Sequence, residues 1–312
     1  ASRAPARALT AKQWHSHLAT LDWAASANEL DAIKAAELFT AYLAASRKDG
    51  FSTLPPGRFL MPGDFAGSPL LNFAPLDVKP DAGIVRGSLG GLMARRYNSY
   101  VSKIVKPFFF GHFARLDRQI VLADALTALN AGTAAIQDLQ TALGQILSCF
   151  RQGSNSIFST VFGRRIDRIL FAATKADHLH QSSHDRLEAV LRYMVEDAAK
   201  RAEFAGARID VAALAAIRAT REARVVQKGE ELDCIAGMPE AGEQIGSTTF
   251  DGDTEAAVFP GDLPLDPAEA LDGKLEGTLK FVRFRPPLRR NGNFPHIRLD
   301  RAIEFLIGDR LA

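Results

Sequence analysis

The sequence is short of cysteine, of long apolar runs and of any excess of one charge. Only Cys149 and Cys234 occur in 312 residues, far apart and in no C-x-x-C spacing. That argues against a disulfide framework or a zinc knuckle and predicts a reducing compartment. Lys and Arg number 38 against 36 Asp and Glu, so nothing electrostatic calls for nucleic acid or an acidic membrane. No apolar run approaches the ~20 residues of a transmembrane segment, and no signal-peptide pattern opens the chain. Also missing is any G-x-x-x-x-G-K-[ST] string: Gly273-Lys274 is followed by Leu275, and Ala268 stands where the first glycine would be. No Ser-His-Asp or Cys-His arrangement is recognisable from spacing. What is present is 47% apolar and 24% charged residues, the composition of a globular chain with a sizeable core.

Three regions follow from the patterning. Residues 1–115 read as helices joined by a shaped loop. Ser26 and Glu29 fit a capping box ahead of Leu30, Ile33, Phe39 and Leu43, and Gly50 stops the run. Leu54-Pro55-Pro56-Gly57 opens a Pro/Gly-rich stretch expected as loop, and helical spacing resumes through Met93, Tyr97, Tyr100, Val101 and Ile104 until Pro107 limits it. Residues 116–222 change period. Ile120-Val121-Leu122-Ala123 and Ile169-Leu170-Phe171-Ala172-Ala173 are short buried strands, with a third, helix-ambiguous run from Val211 to Ile217. Between them lie helical stretches, one with Ile136, Leu139, Leu143, Ile146 and Phe150 on a face. The next is capped by Ser182 and Asp185, carries Leu187, Val190, Leu191 and Met194, and ends at Gly206. Parallel strands need such long crossovers, so this is part of a doubly wound α/β sheet. Residues 223–312 predict a hairpin over Val225–Glu230 and Leu232–Ile235, a loop from Gly237 to Pro267, and a strand over Leu279–Phe284. A closing helix over Asp300–Leu311 is expected to turn Ile303, Leu306 and Ile307 inward.

In open α/β sheets, ligands sit beyond the carboxyl ends of the strands. Thr174-Lys175-Ala176-Asp177 lies at such a point, directly after Ile169–Ala173. Asp177 in an [NT]-K-x-D sequence can accept hydrogen bonds from N1–H and the 2-amino group of guanine. Adenine lacks both donors and would leave a buried carboxylate unpaired. Charge-assisted bidentate pairing is strong, and rejection through an unpaired buried polar group reaches on the order of 10⁴-fold. Lys175 would lay its aliphatic stem along the base, and Thr174 would tie this loop to its neighbours. Beyond the next strand, Arg218-Ala219-Thr220 offers the Ala219 backbone N–H to the base O6. Thr in place of the commoner Asn at 174 leaves guanine and adenine both open.

The chain resembles the YcjX-like family of stress-associated bacterial P-loop GTPases. The stretches that carry the resemblance are Pro56-Gly57-Arg58-Phe59-Leu60-Met61-Pro62-Gly63-Asp64, Asp117 through Asp124, Leu170 through His178, Pro295 through Asp300 and Glu304 through Asp309. They run nearly the whole length in order. The resemblance implies a P-loop (G-domain-like) parallel sheet with a helical insertion, GTP or GDP with Mg2+, GTP hydrolysis, and a switch-like role in stress physiology. It also implies a protein partner met through the insertion. Family members carry a phosphate-binding loop upstream of the region matched here. Residues 1–312 are therefore expected to be the C-terminal portion of a longer protein, supplying base selection and inactive alone. Two alternatives are a non-catalytic interaction module on an α/β frame and an ATP-binding P-loop protein.

Other constellations have blander readings. His178, His180 and His184 have a spacing zinc could use, but the segment leads into a helix, and solvated loop histidines are the simpler account. Arg283, Arg285, Arg289 and Arg290 around Pro286-Pro287 form a basic run with Phe281 and Phe284 that could contact phosphate or RNA, and a solvated strand edge is the simpler account. Phe108-Phe109-Phe110 is either core or a partner-binding patch. Asp124 reads as a helix cap, and Asp64-Phe65-Ala66-Gly67, among prolines, as a structural loop.

Overall fold

The computed structural model describes residues 6–77, 83–112, 116–149, 166–204, 206–227, 229–287 and 294–311. The expected positions Phe150, Arg289 and Arg290, and the side chain of Cys149, lie outside the described residues. The chain divides into two compact units, 1–115 and 116–312.

In the first unit, α1 (Ala6–Leu18) packs on α2 (Glu29–Lys48), with Trp14 against Phe39 and Tyr42 at ring-centroid distances of 4.9 and 5.5 Å. The expected capping box of Ser26 and Glu29 does not form. Asn28 caps α2 instead, its side chain accepting from the Leu30 N–H at 2.9 Å, while Ser26 bridges to Ser88. An Asn carbonyl one step before the helix satisfies the same orphan donors. The cap leaves Leu30 exposed, and the buried stripe is Ala32, Ala35, Ala36, Phe39 and Leu43. The Pro/Gly-rich stretch is not all loop: it holds three single helical turns, Gly57–Leu60, Gly63–Phe65 and Pro69–Leu71.

Pro107 does not end the next helix. Helix α3 (Leu89–Tyr100), capped by the Ser88 hydroxyl, runs through a π turn at Val101–Val105 into α4 (Lys106–Gly111). The Lys106 N–H bonds to the Val101 carbonyl, five residues back. The ladder has slipped by one residue just before a proline that has no N–H to give, and the helix continues past it.

The second unit is built on a parallel sheet in the order β1 (Arg118–Ala123), β2 (Arg168–Ala173), β3 (Arg208–Ala213). The strands end level, with Ala123 opposite Ala173 and Ala173 opposite Ala213. Two helices cross from β1 to β2, α5 (Ala125–Ala131) and α6 (Thr133–Cys149). Asp124 caps α5 by accepting from the Thr127 N–H at 3.2 Å, and α6 buries Ile136, Leu139 and Leu143. Helix α7 (His184–Phe204) crosses to β3, burying Leu187, Val190, Leu191 and Met194, and Gly206 at φ 87° takes the left-handed turn after it. A 3₁₀ turn, Gln181–Ser183, precedes α7, and the His180 side chain accepts from the Ser182 N–H, so the expected caps Ser182 and Asp185 do not serve.

The opposite face, Leu170, Ala172, Ala212 and Leu214, is covered by α8 (Leu299–Leu311) through Ala302, with Leu299, Phe305 and Leu306 packed beside it. Ile303 and Ile307, expected inward, are 43% and 38% exposed. Side-chain anchors set the helix one residue round from the expected phase: Arg301 reaches Asp210 at 2.9 Å, and Asp309 takes Arg118 at 2.7 Å. The third apolar run stops as a strand at Ala213. Ala215 then pairs singly with Ile297, leaving Ala216 and Ile217 exposed.

The hairpin forms as β4 (Arg221–Gln227) and β5 (Glu230–Gly237). The stretch expected as loop carries β6 (Gln244–Ile245), β7 (Thr248–Thr249) and β8 (Ala256–Val258), and β8 joins the free edge of β5. Leu279–Phe284 forms no strand; only Phe284 bridges, to Pro239. Its apolar side chains are nevertheless inside, Leu279, Val282 and Phe284 being buried at spacings of three and two.

Candidate base-recognition site

β2 leaves the sheet at Thr174. The Thr174 N–H donates to the Ala123 carbonyl at 2.9 Å, and its hydroxyl leans on the same oxygen at 3.3 Å. Thr174 therefore ties the exit of β2 to that of β1. Lys175 adopts φ 62°, ψ 33°, a left-handed conformation that costs a non-glycine residue about 1–2 kcal/mol. That turn brings the Ala176 N–H to the Leu214 carbonyl at 3.2 Å and starts a 3₁₀ turn over Ala176–His178. Lys175 Nζ meets Asp124 Oδ2 at 2.6 Å, so Asp124 serves both as a helix cap and as an ion-pair partner.

Asp177 is 6% exposed. Its Oδ2 accepts from the Ala219 N–H at 3.0 Å, and its carbonyl accepts from the Thr220 hydroxyl. The structure thus brings Thr174, Lys175, Asp177 and Ala219 together beyond the carboxyl ends of the three strands. Ala219 and Asp177 meet as partners of each other.

Residues from far along the chain complete this end of the sheet, and the sequence patterning did not assign them to the site. The His178 ring sits edge-on to Phe281 and Phe284, with centroids 6.0 and 6.3 Å apart. A cleft of about 150 Å³ lies among Leu126, Thr127, Lys175, His178, Glu243 and Phe281. Burial lowers the His178 pKa below the usual imidazole value, with Asp177 pulling the other way. Burial alone would raise the Glu243 carboxyl. Hydrogen bonds from the Arg283 N–H at 2.9 Å and Nε at 2.8 Å hold it below the usual carboxylate range. The apolar residues of Leu279–Phe284 were the available signal, but they could not say that this segment returns to the site.

The three histidines face different partners. His180 lies between carboxylates, Nε2 3.2 Å from Glu222 and Nδ1 3.2 Å from Asp233, while His184 Nε2 is 3.3 Å from the Leu179 carbonyl. Among the described residues, no group of three or more His, Cys, Asp or Glu is arranged to hold a metal ion. In the basic run, Arg283 pairs with Glu240 and Glu243, and Arg285 with Asp253. Among the described residues no helix is long and apolar enough to cross a membrane. Within the first unit, a cavity of about 690 Å³ is lined by Phe39, Phe73, Met93, Tyr97, Tyr100 and Val101, and Phe108 and Phe110 are exposed.

The sequence matches the YcjX-like family, DUF463, over residues 1–311. It is 36% identical over 307 residues to the Ras-like GTPase YcjX of Escherichia coli (strain K12), which covers 96% of this chain and 63% of that relative. It is 34% identical over 273 residues to the protein of the same name from Shewanella oneidensis, covering 84% of this chain and 54% of the relative. The chain therefore spans less than two thirds of the length of these relatives. The level three-stranded parallel sheet and its crossover helices are consistent with a P-loop GTPase-like fold. With both units inside the matched span, the chain belongs to the YcjX-like family.

Proposed function

We propose that this chain recognises the guanine base of GTP or GDP in a YcjX-like GTPase, with Asp177 reading the base. The observation that carries this is the buried carboxylate of Asp177 at the carboxyl end of β2, fixed by the Ala219 N–H at 3.0 Å. A carboxylate oxygen has more than one lone pair, so Asp177 can hold Ala219 and still accept from N1–H and the 2-amino group. Lys175, in its left-handed turn, carries its stem along one face of the base, and the ion pair with Asp124 keeps its head in place. Thr174 anchors the loop. Ala219 would share its N–H between Asp177 and the purine O6. Because that N–H is already engaged, the exposed turn residue Ala216 is a second candidate donor.

The named activity of the relatives, that of a Ras-like GTPase, extends in this reading to the full-length protein. In this reading the loops at 174–178 and 215–220 take the base. In the same reading, phosphate and Mg2+ binding, and the hydrolysis they support, are proposed for the full-length protein. A cytoplasmic setting and a switch role in stress physiology belong to the same reading. So does a protein partner for the helical unit, supported by its 690 Å³ apolar cavity and the exposed Phe108 and Phe110.

The test is Asp177→Asn in the full-length protein, titrated with guanosine and xanthosine diphosphates. An amide presents a donor where xanthine has its 2-oxo acceptor, so affinity should move from guanine toward xanthine. Unchanged guanine affinity would overturn the assignment of Asp177.

A further inference from the structure

The two arms that read the base come from distant parts of the chain, the loop at 174–178 and the turn at 215–220. They meet directly, through the Ala219 N–H on Asp177 Oδ2 at 3.0 Å, and one aromatic ring packs beside both. Phe284 is buried, its ring 6.3 Å from that of His178 on the first arm. On its other side is the backbone of Gly237, at the end of β5. A Cβ on Gly237 would lie 2.8 Å from Phe284 Cδ1 and 2.9 Å from the Ala219 carbonyl. Gly237 is therefore pressed between the Phe284 ring and the second arm, and neither neighbour leaves room for a methyl group. Ala219 itself packs on the small core of Ile235, Val258, Val282 and Phe284. The Phe284 segment is held in turn by backbone bonds, Arg285 N–H to the Met238 carbonyl at 2.7 Å and Glu240 N–H to the Arg283 carbonyl at 2.8 Å.

We propose that the extension formed by residues 221–285 sets the base selectivity of this protein, with Phe284 and Gly237 as positioning residues that fix the spacing between Asp177 and Ala219. The inference rests on the base-recognition reading above. Neither residue needs to touch the nucleotide. Phe284 lies against His178 of one arm and, with Gly237, against Ala219 of the other, so a change in its bulk moves one arm against the other. Asp177 and the donor for O6 must meet adjacent atoms of one rigid ring. A displacement of about 1 Å is enough to lose such a paired contact.

The experiment compares affinities for guanosine, inosine and xanthosine diphosphates in the full-length protein. Inosine lacks the 2-amino group, so the guanosine-to-inosine ratio reports how well the Asp177 contact is formed. Phe284→Ala and Gly237→Ala should each lower that ratio by about tenfold. Phe284→Leu, which keeps most of the bulk, should restore most of it. A merely structural role would reduce the fraction of protein that binds and leave the ratio alone, and that result overturns the proposal. If Gly237→Ala does not fold, the alanine and leucine variants at Phe284 decide the matter. Asp177→Asn, run in parallel, separates the two readings. If it changes the ratio while the Phe284 variants do not, only the positioning role fails. If it too leaves the ratio unchanged, the base-recognition reading fails.

Discussion

β1 and β2 are neighbours in one sheet, six residues each, with closely similar apolar runs, yet their side chains meet different surroundings. In β2, every residue from Ile169 to Ala173 is at most 2% exposed. In β1, Val121 and Ala123 are buried, but Ile120 and Leu122 are 39% and 63% exposed. The difference lies in what flanks them: β2 has a strand on both sides and helices on both faces, whereas β1 lies at the edge of the order β1-β2-β3. An apolar run states a capacity for burial; topology decides how much of it is used.

The contrast can be broken most directly by truncation. Phe171→Ala, at a fully buried site in β2, should destabilise the second unit by about 3–5 kcal/mol. Leu122→Ala in β1 should cost about 0.5 kcal/mol or less. Urea unfolding of the two variants measures both, and equal losses would mean that β1 is covered as β2 is. A second difference concerns pH. His178 and His184 follow β2, and burial lowers the pKa of both. Their unfolded counterparts take up protons near pH 6.5, the folded ones only at lower pH. Below that value the unfolded chain binds more protons, so their contribution to stability is full above about pH 6.5 and is lost as the pH falls. The unfolding midpoint should therefore drop from about pH 7.5 to about pH 5.5, with His184→Leu flattening the slope. An unaltered slope in that variant would remove His184 from the account. A comparably small effect belongs to the link between the two strand exits. The Lys175–Asp124 pair is half exposed, so Asp124→Asn should cost roughly 0.2–1 kcal/mol through the ion pair. Raising the salt concentration should shrink that difference.

Much of the second unit was legible because its patterns are local. The first two strands, the capping Asp124 and the stripe of α7 each follow from a few consecutive residues, whereas the alanines of the third run left strand and helix both open. The position of Thr174–Asp177 followed too, since a polar loop directly after a buried strand can only lie at the sheet's rim. What escaped was contact between distant segments. Leu279–Phe284 read as a strand, with nothing local to say that Phe284 would be buried against His178. The phase of α8 was missed for a related reason. Ile303 and Ile307 are as apolar as Phe305 and Leu306, and the choice of face depended on salt bridges to Asp210 and Arg118, both far away in sequence. In the first unit, Pro107 read correctly as an obstacle to regular helix, but the chain has a second solution, the slipped ladder of Val101–Val105.

The position of α8 has a consequence for how the molecule assembles. Its Asp309 is bound by Arg118 from 191 residues away, and its Phe305 carbonyl by Arg168 from 137 residues away. As the chain leaves the ribosome, Leu170, Ala172 and Ala212 can line up early, but their outer side has no lid until residues 299–311 emerge. Contacts of such wide sequence separation slow folding. Nascent chains stalled before residue 299 should thus display a bare aliphatic surface of the kind that holdase chaperones bind.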